Sequence, residues 1–313
     1  MLSRIADSLF WMNRYMERSD GLLRLLHVHY SLSLDKDING ALTWKPVLEI
    51  FTPTETAQIA LLEDHTEAVL KRILVDSTNH NSLKALVNKA RENARGVQDH
   101  ITKEVWEEVN QMYHLVNQPG LSAKLTGYKG LEVIDIFKRH TVLYTGTVDI
   151  TMSRGMGWRF MNLGKYIERC LQTIVYTEKQ IELMNMSEKD SNDILQWRYL
   201  LLSLSGYEQH LKTYRTANHN YNALHQVLLN ENFARSVIYS LNHIDDCIKY
   251  VTYKTSDADS TDLIRVFGQL HSKVKFLDRK QLELVTLQPL LAEVKADLLT
   301  FSMKLGQHFF AYS

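Results

Sequence analysis

The chain has 313 residues, 45% of them hydrophobic, and its 36 Lys and Arg balance 36 Asp and Glu. That apolar fraction excludes a disordered chain, and the charge balance excludes a net field able to hold it on nucleic acid or an anionic membrane. Only 4 Pro and 13 Gly interrupt a sequence rich in Leu, Glu, Lys, Gln and Ala, which favours long helices with short connections.

In chain order, Met1 to Met12 carries Arg4 and Asp7 within its apolar pattern and lacks a small-residue cleavage site, so it does not read as a signal peptide. The first helix is predicted from the N-cap Ser3 to about Leu32. On an ideal wheel, Ile5, Leu9, Met12, Met16 and Leu23 share one side, with Trp11, Tyr15, Leu22 and Leu26 beside them. Arg4 and Arg18 fall within this wide apolar arc, whereas Glu17 falls on the polar side near Arg14 and Arg24. An arginine facing a core needs a carboxylate or carbonyl partner.

Helices are expected over about 41–51 and 55–75, followed by a polar connection from Asp76 to Asn81. Leu83, Val87, Ala90, Ala94, Val97 and Ile101 step by four and three, the pattern of a helix seam in which the two alanines permit close approach. Val105, Val109, Met112 and Val116 continue a helical face to the break at Pro119-Gly120. Residues 117–130 read as a long loop, and about 131–152 as a helix. Ser153 to Gly157 forms a second break before a helix over about 158–184. Later helices are expected at about 191–214, 219–229, 233–252, 260–276 and 279–308, with no convincing strand.

A five-residue signature occurs twice, as Arg14-Tyr15-Met16-Glu17-Arg18 and Lys165-Tyr166-Ile167-Glu168-Arg169. Trp44-Lys45 returns as Trp197-Arg198, and Ser82-Leu83 as Ser236-Val237, in the same order and roughly 150 residues later. The expected fold is therefore an all-α multi-helix bundle in one domain, 1–313, built from two tandem, diverged repeats of about 1–150 and 151–313.

Chemistry is sparse. No histidine has an acidic residue three positions before it, no His-Glu-x-x-His motif is present, and no phosphate-binding glycine loop occurs. Neither a metal nor another cofactor is expected. Cys170 and Cys247 lack metal-ligand or disulfide-framework spacing and read as buried, reduced thiols, and there is no Gly-x-Ser-x-Gly elbow. No apolar run is long enough to span a bilayer, so a soluble cytoplasmic protein is expected. Gly155-Met156-Gly157 with Arg154 reads as an interhelical turn or as an anion site at a helix N-terminus. The charges around the signatures read either as pairs that fix helix register or as a pocket, with Glu17 and Glu168 the candidate general acids or bases.

These residues resemble the alpha-E family, bacterial all-helical proteins with a recurrent Glu-Arg motif. The resemblance rests on Met1-Leu2-Ser3-Arg4, Trp11 to Arg18, Ala90-Arg91-Glu92-Asn93-Ala94-Arg95, Gly157-Trp158, Leu163 to Arg169, Trp197-Arg198, Tyr214-Arg215 and Phe233 to Val237. It implies a place beside a circularly permuted ATP-grasp-type ligase that forms amide or peptide bonds, with a transglutaminase-like protein as a further partner. The implied role is making, binding or modifying a small peptide or amide. On this pattern the ligand-binding candidates are Arg4, Trp11, Arg14, Tyr15, Arg18, Arg91, Glu92, Asn93, Arg95, Arg154, Trp158 and Arg169, and the ligand an anionic peptide or amino acid. This chain has Asn13 where the family usually has glycine, and Gly155-Met156 where it has an acidic pair, so a function needing carboxylates in that turn is not carried over. Three readings follow: a recognition partner of the ligase, an enzyme using Glu17 or Glu168, and a passive scaffold.

Overall fold

The computed structural model describes residues 2–34, 43–52, 56–185, 193–215, 218–253, 258–278 and 280–310, and all regular structure among them is helical. Parts of four expected helices, at 41–42, 55, 191–192 and 279, lie outside the described residues. In order the helices are α1 (Ser3–Ser33), α2 (Lys45–Phe51), α3 (Thr56–Leu62), α4 (Thr66–Leu74), α5 (Leu83–Gly96), α6 (Lys103–Val116) and α7 (Gly127–Thr151). They continue with α8 (Met156–Asn185), α9 (Asp193–Ser203), α10 (Tyr207–Thr213), α11 (His219–Leu229), α12 (Val237–Thr252), α13 (Ala258–Lys275) and α14 (Leu284–Phe310). No helix among the described residues is long and apolar enough to cross a membrane.

Two compact units result: residues 11–153 form one, and residues 1–10 with 154–313 form the other. Within 11–153, α5 packs on α6 and α6 on α7. Ala90 and Ala94, both fully buried, lie on the α5 seam. Ser82 caps α5 by accepting from the Ala85 N–H at 3.2 Å, and Thr102 caps α6 by accepting from Val105 N–H at 3.4 Å. The Tyr30 hydroxyl donates to the Gly127 carbonyl at 2.7 Å, and a Cβ on Gly130 would stand only 3.0 Å from the Tyr30 ring. That close approach fixes the end of α1 against the start of α7.

In the other unit, α12 lies along α8, α14 packs on both α8 and α13, and α11 packs on α9. Phe10 meets Phe310 at 5.0 Å between ring centroids, and Phe160 meets Phe309 and Phe310 at 5.3 and 5.8 Å, so the first ten residues share an aromatic core with α8 and α14. Ser236 caps α12 by accepting from Tyr239 N–H at 3.0 Å, and its hydroxyl also donates to the Asn230 carbonyl at 2.7 Å.

Several expected boundaries move, the first two for a tertiary reason. The stretch 55–75 is two helices, because the chain turns at Glu63 to accept the Trp44 N–H at 3.0 Å while the Trp44 indole donates to Thr66 Oγ1 at 3.0 Å. The stretch 191–214 breaks at Ser205, where φ is +55°, and Gly206. A Cβ on Gly206 would stand 2.6 Å from Phe233, and its carbonyl accepts from Gln226 Nε2 at 2.8 Å. The predicted seam outruns its helix: α5 ends at Gly96, and Val97 and Ile101 are buried around a 3-10 turn, Gln98–His100. The long loop expected over 117–130 contains the 3-10 turn Leu121–Lys124 and the first turns of α7.

His29 sits on Trp44 with 4.4 Å between ring centroids and is 2% exposed. Burial lowers its pKa from 6.5 to about 4, against a hydrogen bond with the Thr43 backbone. The folded state therefore binds fewer protons than the unfolded state between these values, so stability is full above pH 6.5 and is lost as the pH falls toward 4. We expect urea unfolding to show up to about 3 kcal/mol of this loss at the acid end, and His29→Gln to remove that component of the slope.

Candidate functional site

Helices α1 and α8 carry the two signatures, and both are buried on nearly every side. Asn13, Arg14 and Glu17 are 3%, 6% and 4% exposed, and Glu168 and Arg169 are 3% and 8% exposed. This corrects the wheel reading. Glu17 and Arg14 are core residues, whereas Arg18 is half-buried and Arg4, in the first turn of α1, is exposed. A wheel assigns polar groups to solvent, but a helix covered all round has no solvent side.

The arginine closing each signature reaches a turn. Arg18 Nη1 donates to Asn81 Oδ1 at 3.5 Å, and Asn81 in turn is fixed by its N–H to Asn79 Oδ1 at 3.0 Å, just ahead of the Ser82 cap. In the other unit Arg169 Nη1 donates to the Ala234 carbonyl at 3.1 Å, and Thr173 Oγ1 donates to the Arg235 carbonyl at 2.8 Å, just ahead of the Ser236 cap. Both arginines thus hold the turn that launches a helix, α5 or α12. Glu17 lies near Tyr144, whose hydroxyl donates to Asn13 Oδ1. Burial raises the Tyr144 pKa, and the Glu17 charge raises it further.

Aromatic rings collect cations around the signatures. Trp11 stacks on Tyr15 with 5.4 Å between centroids, Arg14 lies 4.8 Å from the Trp11 ring, and Lys89 Nζ lies 5.6 Å from the Tyr15 ring. In the other unit Tyr166 stacks nearly parallel on His243 at 4.4 Å, and Lys165 and Arg169 each lie 5.3 Å from the Tyr166 ring. Burial lowers the His243 pKa; Asp246 opposes that, while Lys165 and Arg169 add to it.

Two arginines are held against rings away from the buried pairs. Arg91, half-buried on α5, lies 4.2 Å from the Tyr113 ring and 5.7 Å from Trp106, and its Nε donates to Asn110 Oδ1 at 2.8 Å. Its Nη1 is 3.9 Å from Glu92, which pairs more closely with Arg95 at 3.0 Å on the exposed surface. Asn93 is turned back onto its own helix, donating to the Lys89 carbonyl at 2.9 Å. Arg154, exposed ahead of α8, lies 4.5 Å from the Trp158 ring, which also carries Arg159 at 4.9 Å. Sequence reading missed Trp106, Asn110 and Tyr113, although their spacing of four and three places them on one face of α6. It also missed Arg159 and its second ring, Tyr250.

Surface grooves lie elsewhere. One of 370 Å³ is lined by Leu121, Val133, Ile136 and Phe137 with Lys124 and Lys129 at hand. Another, of 240 Å³, contains Asp262, itself bonded to Lys304 at 2.5 Å and Arg265 at 2.5 Å. Among the described residues no group of three or more His, Cys, Asp and Glu is placed to hold a metal ion. Burial pushes the Cys170 thiol well above its ordinary range. It also pushes the Cys247 thiol up to about 11, against the neighbouring Arg159 guanidinium. Neither is a thiolate nucleophile at neutral pH.

A model of the Alpha-E family, described as a predicted alpha-helical domain with a conserved ER motif, matches residues 1–310. The chain belongs to this family, and its sequence contains two Glu-Arg pairs, Glu17-Arg18 and Glu168-Arg169. No curated protein and no solved structure matches.

Because Arg169 is buried and bonded to a backbone carbonyl, Arg169→Gln is expected to lower unfolding free energy by about 2–4 kcal/mol, whereas exposed Arg95→Gln changes it by less than about 0.5 kcal/mol. Thermal and urea unfolding check both. In the folded protein at pH 8, a thiol reagent is expected to label neither cysteine on the timescale of a free thiol, and to label both after unfolding.

Proposed function

We propose that this Alpha-E protein is a recognition subunit of an ATP-grasp-type amide or peptide ligase system, one that holds the anionic groups of a peptide or amino acid on ring-supported arginines. The observation that carries the reading is the placement of Arg91 on Tyr113 and Trp106, and of Arg154 on Trp158. A ring restricts the guanidinium to one plane, and the half-buried Arg91 and the exposed Arg154 each keep part of that group where a carboxylate can reach it. A transglutaminase-like protein is the further partner in this proposal, and the cytoplasm of a bacterium its setting.

The two kinds of arginine divide the work. Arg18 and Arg169 hold turns, so the Glu-Arg motif serves the fold, and ligand contact falls to arginines that a solute can reach. Catalysis by Glu17 or Glu168 is the less supported reading, since both carboxylates are more than nine-tenths buried. A passive scaffold accounts for Arg18 and Arg169 but makes no use of the exposure of Arg154 on Trp158.

We further read the chain as one domain, 1–313, formed from two diverged copies of about 1–150 and 151–313. Support comes from helix order within each half. A helix of 31 residues, α1, and one of 30, α8, are each followed by three short helices, a serine-capped helix and two more. In each, a tryptophan indole donates to a side chain at the start of the fourth helix, Trp44 to Thr66 and Trp197 to Asn220.

Calorimetric titration with an ATP-grasp-type ligase of the same genome, with and without ATP and candidate amino acids, tests the proposal. The expected result is saturable binding that folded Arg91→Ala and Arg154→Ala variants weaken at least about tenfold together. Absence of binding under every condition would sink the ligase-partner reading.

A further inference from the structure

Five large apolar side chains of α7 face solvent: Tyr128 is 74%, Ile136 46%, Val142 54%, Leu143 53% and Ile150 84% exposed. Single apolar residues on a surface are ordinary, but these are aligned. Ile136, Leu143 and Ile150 are spaced by seven. At about 100° per residue they fall with Tyr128, Arg139 and Gly146 inside an arc of about 80°. The strip from Ile136 to Ile150 runs about 20 Å along the helix. Gly146 keeps it low, since a Cβ there would meet nothing within 4 Å.

The N-terminal end of the strip opens into the 370 Å³ groove between the end of α6, the 3-10 turn Leu121–Lys124 and α7. Ile136 belongs to both, and buried Leu121, Val133 and Phe137 line the groove beneath it. Groove and strip lie wholly within the unit of residues 11–153. Continuous apolar surface of this kind marks a place for another molecule. A helix matches the length and the seven-residue spacing, the interval at which side chains of two packed helices meet.

Charge selects the partner. Lys124 and Lys129 stand at the groove and Arg139 on the strip, and none of the three forms an ion pair among the described residues. Arg139 acts on Asp135 through space, but that carboxylate is paired with Lys138 at 2.9 Å and His27 at 3.1 Å. Glu132 is the one carboxylate among the residues lining the groove. The path is therefore basic although the chain as a whole is neutral. Carboxylates beside an apolar seam complement it, whereas a second copy would bring the same cations against their own kind.

We infer that the groove and the α7 strip form a docking surface for an amphipathic helix with acidic flanks, supplied by another protein. Ile136, Leu143 and Ile150 take its apolar seam, and Lys124, Lys129 and Arg139 its carboxylates. This surface goes beyond the proposed function and does not rest on it, because it uses neither Arg91 nor Arg154.

The test is fluorescence anisotropy of the full chain with a labelled three-heptad peptide carrying leucine at a and d and glutamate at e and g, beside a counterpart with lysine at e and g. The acidic peptide is expected to bind saturably, one per chain, and at least tenfold more tightly than the basic one, with the preference shrinking at high salt. Leu143→Asp, and Lys124→Glu combined with Lys129→Glu, are each expected to cost at least tenfold. Leu299→Asp, at an exposed position of α14, is expected to cost nothing. Should Leu143→Asp lose its helical circular dichroism, Leu143→Ser replaces it, with a several-fold loss expected. No binding up to about 100 µM, equal binding of both peptides, or the same loss in Leu299→Asp overturns the inference. Two further results overturn it by naming another occupant. A dimer in sedimentation that Leu143→Asp abolishes assigns the strip to a second copy, and decanoate binding that Lys129→Glu removes, without peptide binding, assigns the groove to a small apolar acid.

Discussion

The structure depends on placing a glutamate and an arginine inside helices that are covered on nearly every side. Removing such charges from water costs several kcal/mol per ion unless hydrogen bonds replace the lost hydration. For Arg169 the replacement includes the Ala234 carbonyl, and for Arg18 the Asn81 side chain, both in turns directly ahead of a serine cap. The requirement links three levels at once. A helix register is fixed because only one rotation presents the guanidinium to the turn, the turn is fixed because its polar groups are occupied, and the next helix starts where Ser82 or Ser236 caps it.

In the proposed reading, that constraint separates the Glu-Arg pairs from the ligand-facing chemistry. Arg169, bonded to a backbone carbonyl, is buried even with the Tyr166 ring beside it, whereas Arg91 is half-buried and Arg154 exposed. The balance of 36 basic and 36 acidic residues fits short-range recognition, since no long-range field draws in ligands and selection falls to contact geometry. Raised cysteine pKa values point the same way, because the chain offers binding groups and no activated thiol.

Much of the fold is legible in the sequence where local chemistry decides it. α1 begins at Ser3 and the Ala90 and Ala94 steps mark a close seam, whereas α12 starts at Val237, after the Ser236 cap, and not at 233. What escaped depends on partners far away in the chain. Nothing near residue 63 marks the break between α3 and α4, which Trp44 imposes, and the break at Ser205-Gly206 is imposed by Phe233 and Gln226. A wheel placed Glu17 and Arg14 toward water and Arg4 toward the core. The reverse holds, because burial of α1 comes from several neighbours while its first turn is open. Arg91 and Arg154 were visible through the family pattern and, for Arg154, through the turn ahead of a helix. Arg159 was not, because Tyr250 and Cys247 reach it from α12, roughly ninety residues on.

The central claim is that the arginines bonded to turns, Arg18 and Arg169, serve the fold while the accessible Arg91 and Arg154 meet the ligand. Arginine side-chain Nε–Hε resonances, assigned by single substitutions and followed during carboxylate titration, test it most directly. The account predicts that the signals of Arg91 and Arg154 shift saturably while those of Arg18 and Arg169 stay in place. Movement of Arg18 and Arg169 with the ring-supported signals unmoved would contradict it.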